Sequence, residues 1–267
     1  MAIHPTAVID GRADIDAAAD IGPYVVVDGP VVVGAGTRVL AHAVLTGHTT
    51  IGRDNVIHMG AVLGNEPQDL SYAGAPTGLR LGDRNIVREH CELNRATSME
   101  RPTTVGDDNF FFGHAHVGHD CQIGNRVILA NGAMLGGHVA VDDQVFVSGN
   151  CVVHQFVRIG RLALLRGLSR SSRDVPPFCI MDFTHTVRGI NRVGMRRAGF
   201  TSEQIRAVQR AFATLFRARR NLRLALAELE TGPLTEEVAH LVAFIRASKR
   251  GVCQGPRGAA GGLDDAE

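Results

Sequence analysis

Aliphatic residues recur at every sixth position through most of the chain from Ile3 to Leu165, in a protein of 267 residues. The series begins at Ile3, Ile9 and Ile15, resumes in register after two interruptions, and then fades. A period of six fits neither an α-helix nor a two-sided strand. It fits a prism of three flat faces, in which three hexads form one coil and successive coils stack as parallel strands about 4.8 Å apart. The repeat therefore predicts a parallel β-helix.

Two interruptions of the repeat contain proline, glycine and polar residues, which is typical of loops extruded from a coil. After Leu165 the hexads fade, and Thr201 to Gln204 matches a capping box ahead of a helical apolar pattern. We predict that these helices cover the open end of the β-helix. The predicted organisation is a β-helix over residues 1–190 with loops at 65–78 and 95–104, a helical domain over 191–252 and a disordered tail over 253–267.

Composition excludes several classes of protein. The formal net charge is +1, which does not suggest a nucleic-acid-binding protein. The N-terminus lacks the features of a secretory signal, and no apolar run approaches the roughly 18 residues that span a bilayer. We therefore expect a cytoplasmic protein without stable membrane insertion. The five cysteines include no C-x-x-C pair, so we expect buried packing thiols rather than disulfides or a zinc ribbon.

Histidines are concentrated on one predicted edge of the prism. Adding 18 to His119 gives Gly137, and a further 18 gives Gln155. The residues predicted to share this column are His116, His119, Gly137, His138, His154 and Gln155. Imidazole titrates near neutral pH and takes protons from hydroxyl nucleophiles, while the N–H of a glycine can stabilise a developing oxyanion. The column predicts a site for acyl transfer.

Two other interpretations of the histidines stay open. Outward-facing histidines could simply decorate a subunit interface. His114 and His119 also resemble the zinc ligands of γ-class carbonic anhydrases, but no third ligand lies at a matching offset, and a zinc site needs three ligands and an open position. We therefore predict no metal ion.

Arginines are frequent after the repeat, with Arg188, Arg192, Arg196 and Arg197 in one short segment. Guanidinium groups bind diphosphates and acidic protein surfaces well. The segment favours a nucleotide-linked substrate or an acidic carrier protein as a ligand, although a solvated basic face would have the same composition.

The sequence from about residue 3 to residue 250 resembles the UDP-N-acetylglucosamine acyltransferase family, which begins lipid A synthesis. The motifs that carry the resemblance are NEPQDL at 65–70, HVGHDC at 116–121, GHV at 137–139, VHQF at 153–156, DVPP at 174–177 and NRVGMRRAGF at 191–200. The resemblance implies a mainly β fold, a left-handed parallel β-helix followed by C-terminal helices. It implies a homotrimer with active sites between subunits.

The implied reaction moves a (3-hydroxy)acyl group from acyl carrier protein to the 3-hydroxyl of UDP-N-acetylglucosamine. The acyl group arrives on the carrier's phosphopantetheine arm, and no other cofactor is expected. By resemblance, His119 is the general base and Gly137 the oxyanion donor, and Gly167 measures acyl length. The other implied substrate contacts are Asp69, His116, His138, His154, Gln155, Asn191, Arg196 and Arg197.

Three residues depart from the family pattern. Ser71 stands where a basic residue is common, Val193 replaces an acidic residue, and Arg166 occupies a position that is usually small. An acyltransferase acting on the oxygen or nitrogen of a different nucleotide sugar is therefore the alternative function.

Overall fold

The computed structural model describes residues 2–218 and 220–256. Within these residues, the first two thirds of the chain form a left-handed parallel β-helix with three sheets, one on each face of a triangular prism. Most strands contain only two or three residues, and each pairs in parallel with the strand one coil away. The mainly β fold predicted from the six-residue repeat is confirmed.

The strands of the three faces are as follows. The first face contains Ala2–Ile3, Asp20–Ile21, Arg38–Val39, Val56–Ile57, Ile86–Val87, Phe110–Phe111, Ile128–Leu129, Phe146–Val147, Leu164–Leu165, Cys179–Asp182 and Thr186–Ile190. The second contains Val8–Ile9, Val26–Asp28, Val44–Thr46, Val62–Asn65, Glu92–Asn94, His116–Val117, Met134–Leu135, Val152–Val153 and Arg170–Ser171. The third contains Asp14–Ile15, Val32–Val33, His48–Ile51, Gly78–Leu81, Thr103–Val105, Gln122–Ile123, Ala140–Val141 and Arg158–Ile159.

The coil returns to the same edge after each set of three hexads, as the pairing of Ala2 with Asp20 shows. Two coils are longer than three hexads, because Val56 pairs with Ile86 and Ile86 in turn pairs with Phe110. The additional length forms two excursions, here called the first inserted loop (66–77) and the second inserted loop (95–102). Register is restored after each loop, so the aliphatic positions stay inside the prism.

Tight corners join the faces, and they place many residues other than glycine in the left-handed backbone region. Asp120, His138 and Phe156 form one such corner, with φ values of 60°, 60° and 64°. A left-handed conformation costs an L-residue roughly 1–2 kcal/mol, so the ladder hydrogen bonds on both sides must hold it. We call this the site corner.

Buried asparagines support another corner. Asn109 donates from Nδ2 to Oδ1 of Asn85 over 2.9 Å, and Asn85 donates to Oδ1 of Asn55 over 3.0 Å. The main-chain N–H of Val127 donates to Oδ1 of Asn109. This ladder satisfies turn amides that would otherwise be buried without a partner, a condition that costs about 1–3 kcal/mol for each group.

The five cysteines are all buried and unpaired, as the sequence predicts. Burial raises the pKa of the Cys91 thiol to about 11 and that of Cys121 to about 12. Both thiols therefore stay protonated and unreactive at neutral pH, since the thiolate is the nucleophilic form.

In the described part of the chain, four helices follow the last coil: α1 (Arg192–Arg197), α2 (Ser202–Phe212), α3 (Leu222–Leu229) and α4 (Glu236–Arg246), with a π-helical segment at Ala213–Arg217 after α2. The predicted capping box is present, because Thr201 and Gln204 each bond the other's main-chain N–H. The helices pack against the end of the prism through Phe178, which contacts the rings of Phe200 and His240.

The predicted tail begins too early. Cys253 is fully buried, and its N–H donates to the carbonyl of Asp174. Gln254 forms a bridge with Thr186. These hydrogen bonds attach residues 252–254 to the end of the β-helix. Cys253 therefore belongs to the folded part of the chain and not to a disordered tail. Of the predicted tail, residues 257–267 lie outside the described residues.

No helix in the described part of the chain combines the length and the apolar character required to cross a bilayer.

His185 links the last hairpin to the β-helix and makes the stability of this region sensitive to pH. Its Nε2 accepts from the N–H of Ser172 over 2.9 Å and faces the hydroxyl of Ser172 at 3.0 Å. Burial lowers the pKa of His185 below its usual 6.5, and Arg173 and Arg170 add to the effect. At a pH below about 6.5 the histidine is protonated more fully in the unfolded chain than in the folded one. The free energy of unfolding therefore falls as the pH drops below about 6.5.

We expect the midpoint of thermal unfolding of the wild type to fall more steeply between about pH 6.5 and pH 5 than that of His185→Gln, which cannot titrate in this range. Calorimetry of the two proteins at several pH values measures the difference. Parallel curves would show that His185 does not couple protonation to folding.

Candidate active site

His119 and Asp120 form the centre of the site at the site corner. His119 Nδ1 lies 2.8 Å from Asp120 Oδ2, and the imidazole is only 8% exposed. A carboxylate only accepts hydrogen bonds, so Nδ1 carries the proton in the neutral ring and Nε2 has a free lone pair. This is the arrangement of a general base held in one tautomer by an acidic residue.

Gly137 lies directly against the imidazole one coil away. A Cβ built on Gly137 would lie 2.5 Å from His119 Nε2, a distance that no real side chain could adopt. The N–H of His138 donates to the carbonyl of His119 over 2.8 Å, which fixes the two successive coils in register at the site corner. The pairing of His119 with Gly137 that the three-hexad period predicts is thus present in the structure.

Gly137 is buried between the His119 imidazole and the neighbouring main chain. A Cβ on Gly118 would lie 2.8 Å from the Gly137 nitrogen and would cover it. None of the described main-chain hydrogen bonds outside strands and helices uses this N–H as a donor. This amide, next to the His119 ring and without a main-chain acceptor among these bonds, is a candidate donor to an oxyanion.

His138 completes the group on the same corner. Its Nε2 lies 3.6 Å from Asp120 Oδ2, and its ring meets that of His119 edge-on at 5.2 Å between centroids. Phe156, half-exposed in the next coil, stacks on His138 at 4.4 Å with the planes nearly parallel. We call His119, Asp120 and His138 the His119 cluster.

The first inserted loop places Asp69 near the His119 cluster. Ser71 donates to Asp69 Oδ1 from its N–H and its hydroxyl, both over 2.8 Å. These bonds hold the pKa of Asp69 below its usual value, and the charges of His119 and His138 lower it further. Asp69 is therefore an anion at neutral pH. Ser71, which lacks the basic side chain that the family pattern predicts here, serves to orient this carboxylate.

His116 belongs to the neighbouring face. Its Nδ1 lies 3.4 Å from Glu92 Oε2, which also accepts from Gln68 of the first inserted loop over 3.2 Å. The chain of polar groups from Gln68 to His116 borders the His119 cluster on the side of that loop.

His154 and Gln155 lie one coil beyond Gly137, and both are exposed. A Cβ on Gly136 would lie 2.9 Å from the Gln155 nitrogen, which confirms that these coils stack in the predicted order. Arg250 reaches the same place from the C-terminal segment, with its guanidinium 3.4 Å from His154 Nδ1. The position is open to a ligand and has a cation beside it.

Gly167 is not in contact with the His119 cluster. It precedes Leu168, whose φ of 63° places it on the corner shared with His114 and Asn150, here called the second corner. That corner is one face away, and Gly167 follows His119 by about two and two-thirds coils, or about 13 Å along the axis. One chain therefore divides the predicted site residues between two corners. Arg166 beside it points to Asp182, with a separation of 3.3 Å.

Asn191 has a structural role that the sequence did not predict. It is buried, its Oδ1 accepts from Gly194 N–H as the N-cap of α1, and its Nδ2 donates to the carbonyl of Leu162. These bonds attach α1 to the last coil. Its assignment as a substrate contact stays an untested prediction.

Arg196 and Arg197 are exposed in the last turn of α1, where cations complement the helix dipole. Other arginines of the basic region hold the helices in place. Arg158 packs over the ring of Phe244 at 4.1 Å, and Arg161 over that of Phe200 at 5.6 Å. Arg158 and Arg161 are therefore structural, whereas the side chains of Arg196 and Arg197 are exposed to ligands.

The geometry does not favour a zinc site formed by His114 and His119, the two histidines that resemble the ligands of γ-class carbonic anhydrases. His114 stacks on His90 at 5.2 Å on the second corner, whereas His119 lies on the site corner. Among the described residues, the ligand atoms of His119, Asp120 and His138 are the ones that come within 4.8 Å of one another. This set contains the proton acceptor and its acidic partner, which suits base catalysis.

Several residues of the site were not predicted from the sequence, namely Asp120, Gly118, Phe156 and Arg250. The sequence contains a signal for the first three of these residues. Gly118 and Asp120 flank His119, and Phe156 follows His138 by one coil of 18 residues. Arg250 carries no such signal, since it reaches the site through the return of the C-terminal segment.

Comparisons with known proteins agree with this geometry. A profile described as "Udp N-acetylglucosamine O-acyltransferase; Domain 2" matches residues 174–253, and "Bacterial transferase hexapeptide (six repeats)" matches residues 102–137. The acyl-[acyl-carrier-protein]–UDP-N-acetylglucosamine O-acyltransferase of Janthinobacterium sp. (strain Marseille) is 46% identical over 257 residues, which cover 94% of this chain and 98% of that protein. The chain belongs to the UDP-N-acetylglucosamine O-acyltransferase family.

Solved structures of this family share the whole architecture. The UDP-N-acetylglucosamine acyltransferase of Francisella novicida superposes with a TM-score of 0.91 at 33% identity, covering 95% of this chain and 94% of that one. The Arabidopsis UDP-N-acetylglucosamine acyltransferase superposes with a TM-score of 0.84 at 32% identity, covering 94% and 100%. The likeness thus extends over nearly the whole chain.

We expect Gly137→Ala to abolish most activity, at least a hundredfold, because the methyl group must displace the His119 ring from its position. Steady-state assay of the purified variant with acyl carrier protein and UDP-N-acetylglucosamine substrates measures the loss. Gly11→Ala is the matched control, since its Cβ meets nothing within 4 Å. Equal activity of the two variants would contradict the assigned contact.

Proposed function

We propose that this chain transfers a 3-hydroxyacyl group from acyl carrier protein to the 3-hydroxyl of UDP-N-acetylglucosamine, the first step of lipid A synthesis. The observation that supports it most directly is the contact of His119 with Gly137, in which an imidazole oriented by Asp120 lies beside a glycine whose N–H has no acceptor among the described turn and loop hydrogen bonds. The names of the relatives supply the donor and the acceptor.

In the first step, His119 Nε2 takes the proton of the sugar hydroxyl as its oxygen attacks the thioester carbonyl. The carbonyl oxygen becomes an anion, and the Gly137 N–H donates to it. Proton transfer to a positioned base contributes about 10²–10⁴-fold, and one oxyanion donor about 10²–10³-fold. Asp120 stabilises the imidazolium that forms.

In the second step, the tetrahedral intermediate collapses. The C–S bond breaks, the electrons go to sulfur, and the imidazolium returns the proton to the departing thiolate of the phosphopantetheine arm. The products are the sugar ester and the free carrier thiol, and His119 is neutral again. The chain of transfers needs no bound cofactor.

We propose that the active unit is a homotrimer with sites between subunits. Predicted site residues lie on two corners of one chain, with the His119 cluster on one and Gly167 on the other. A second copy that places its second corner against the site corner would bring the two sets together. Val152 and Met134 lie between the two corners and Phe156 lies on the site corner; all three are nearly half exposed and offer apolar surface to such a partner.

The carrier protein and the nucleotide sugar have separate attachment points in this proposal. Arg196 and Arg197 supply cations for an acidic carrier surface or a diphosphate, and His154 with Arg250 supplies a second basic position. The five unpaired cysteines suit the reducing environment of the cytoplasm, where we place the reaction.

We expect His119→Gln to lower kcat by about 10³-fold or more while the protein keeps its fold and its assembly, because an amide cannot accept the hydroxyl proton. Transfer of radiolabelled acyl groups measures the rate, and sedimentation compares the mass with that of three chains of 28.5 kDa. His4→Ala, at an exposed histidine of the first coil, is the control. Near-normal turnover in His119→Gln would remove the base from the mechanism.

We expect Gly167→Met to shift preference toward shorter acyl chains. A Cβ at Gly167 meets only the Gly149 carbonyl, at 3.7 Å, so the longer side chain projects outward without disturbing the coil. Rates with a series of acyl carrier protein thioesters of different length measure the shift, with Gly167→Ala as the intermediate case. An unchanged ranking of chain lengths would mean that the acyl chain lies on another surface.

A further inference from the structure

The second inserted loop (95–102) is anchored firmly at both of its ends. The N–H of Ala96, which is fully buried, donates to the carbonyl of Gly78 over 3.1 Å. At the other end, Gln122 donates to the carbonyl of Pro102 over 2.9 Å. Arg95, with a side chain only 12% exposed, donates to the Gly64 carbonyl and to Tyr72. The short stretch between these anchors therefore has a defined position beside the site corner.

Thr97 uses this position to bind the Asp120 carboxylate. Its hydroxyl donates to Asp120 Oδ2 over 2.8 Å, and its N–H lies 3.1 Å from Oδ1 and 3.2 Å from Oδ2. Just after the loop, the buried hydroxyl of Thr103 accepts the main-chain N–H of Asp120 over 2.7 Å. The loop thus contacts both the carboxylate and the backbone of the residue that orients His119.

The consequence is a fixed rotamer for Asp120. Its Oδ2 receives the Thr97 hydroxyl and His119 Nδ1 at 2.8 Å each, so the two donors define the plane and direction of the carboxylate. Hydrogen bonds to an ionised acceptor are about twice as strong as neutral ones. Without the hydroxyl, the carboxylate could rotate about its own bonds and leave Nδ1 without its partner.

We propose that Thr97 is a positioning residue for catalysis, which acts through Asp120 to hold His119 in its productive tautomer and orientation. The second inserted loop is then part of the catalytic apparatus, although it supplies no group that touches the reacting atoms. This inference rests on the proposed function, because it assigns His119 the role of base.

The test compares Thr97→Val, which is isosteric and keeps the N–H contact but lacks the hydroxyl, with Thr97→Ser, which restores the hydroxyl. We expect Thr97→Val to lower kcat about tenfold or more, the usual size of losing an outer partner of a functional histidine. The KM values for both substrates should stay within about twofold, because a change in kcat alone reports on the transition state. Thr97→Ser should recover most of the rate.

Ser98→Ala removes a hydroxyl from the next position of the same loop, where it accepts only the Glu100 N–H, and is the matched control. Its kcat should equal that of the wild type. If Thr97→Val fails to fold, Thr97→Ala removes the same hydroxyl with less bulk and should show the same loss.

The outcomes separate the two proposals. An inactive wild type would overturn the proposed function itself. An active wild type with a Thr97→Val variant that matches Ser98→Ala, or that changes KM rather than kcat, would overturn the role of Thr97 alone. Failure of Thr97→Ser to recover activity would have the same meaning, since the hydroxyl would then not be the group that matters.

Discussion

The stacking of parallel coils at a fixed register is the interaction on which the rest of the molecule depends. Each two-residue strand is far too short to be stable alone, so it exists only because the coils above and below satisfy its N–H and C=O groups. The same register aligns corner residues across coils. His119 and Gly137 meet because the ladder bond between His138 and His119 leaves no freedom to slip.

The corners of the prism carry the residues of the candidate active site. On the site corner the left-handed positions of successive coils hold Asp120, His138 and Phe156. The positions just before them hold His119, Gly137 and Gln155, so that a carboxylate, two imidazoles and a glycine come together on one edge. The backbone cost of the left-handed residues is offset by the stacked ladder, so the site is built on a rigid support, which suits a geometry that must be held to a fraction of an ångström.

The two inserted loops modify the repeat where function requires more than a repeat can provide. The first brings Asp69 and Ser71 to the His119 cluster, and the second brings Thr97 to Asp120. Both loops return the chain to register, so neither disturbs the interior. The C-terminal segment contributes in a different way, since residues 252–254 pair with the end of the β-helix and bring Arg250 to His154.

The sequence by itself determined the β-helix, the coil length and the meeting of His119 with Gly137, because all three follow from a strict period that each residue obeys locally. Only the tertiary structure decided the role of Asp120, the capping role of Asn191, the burial of Cys253 and the separation of Gly167 from the His119 cluster. These depend on side-chain rotamers, on loops that leave the repeat and on contacts between segments far apart in the chain. No period constrains such features, so the free energy of packing selects them only when the whole chain has folded.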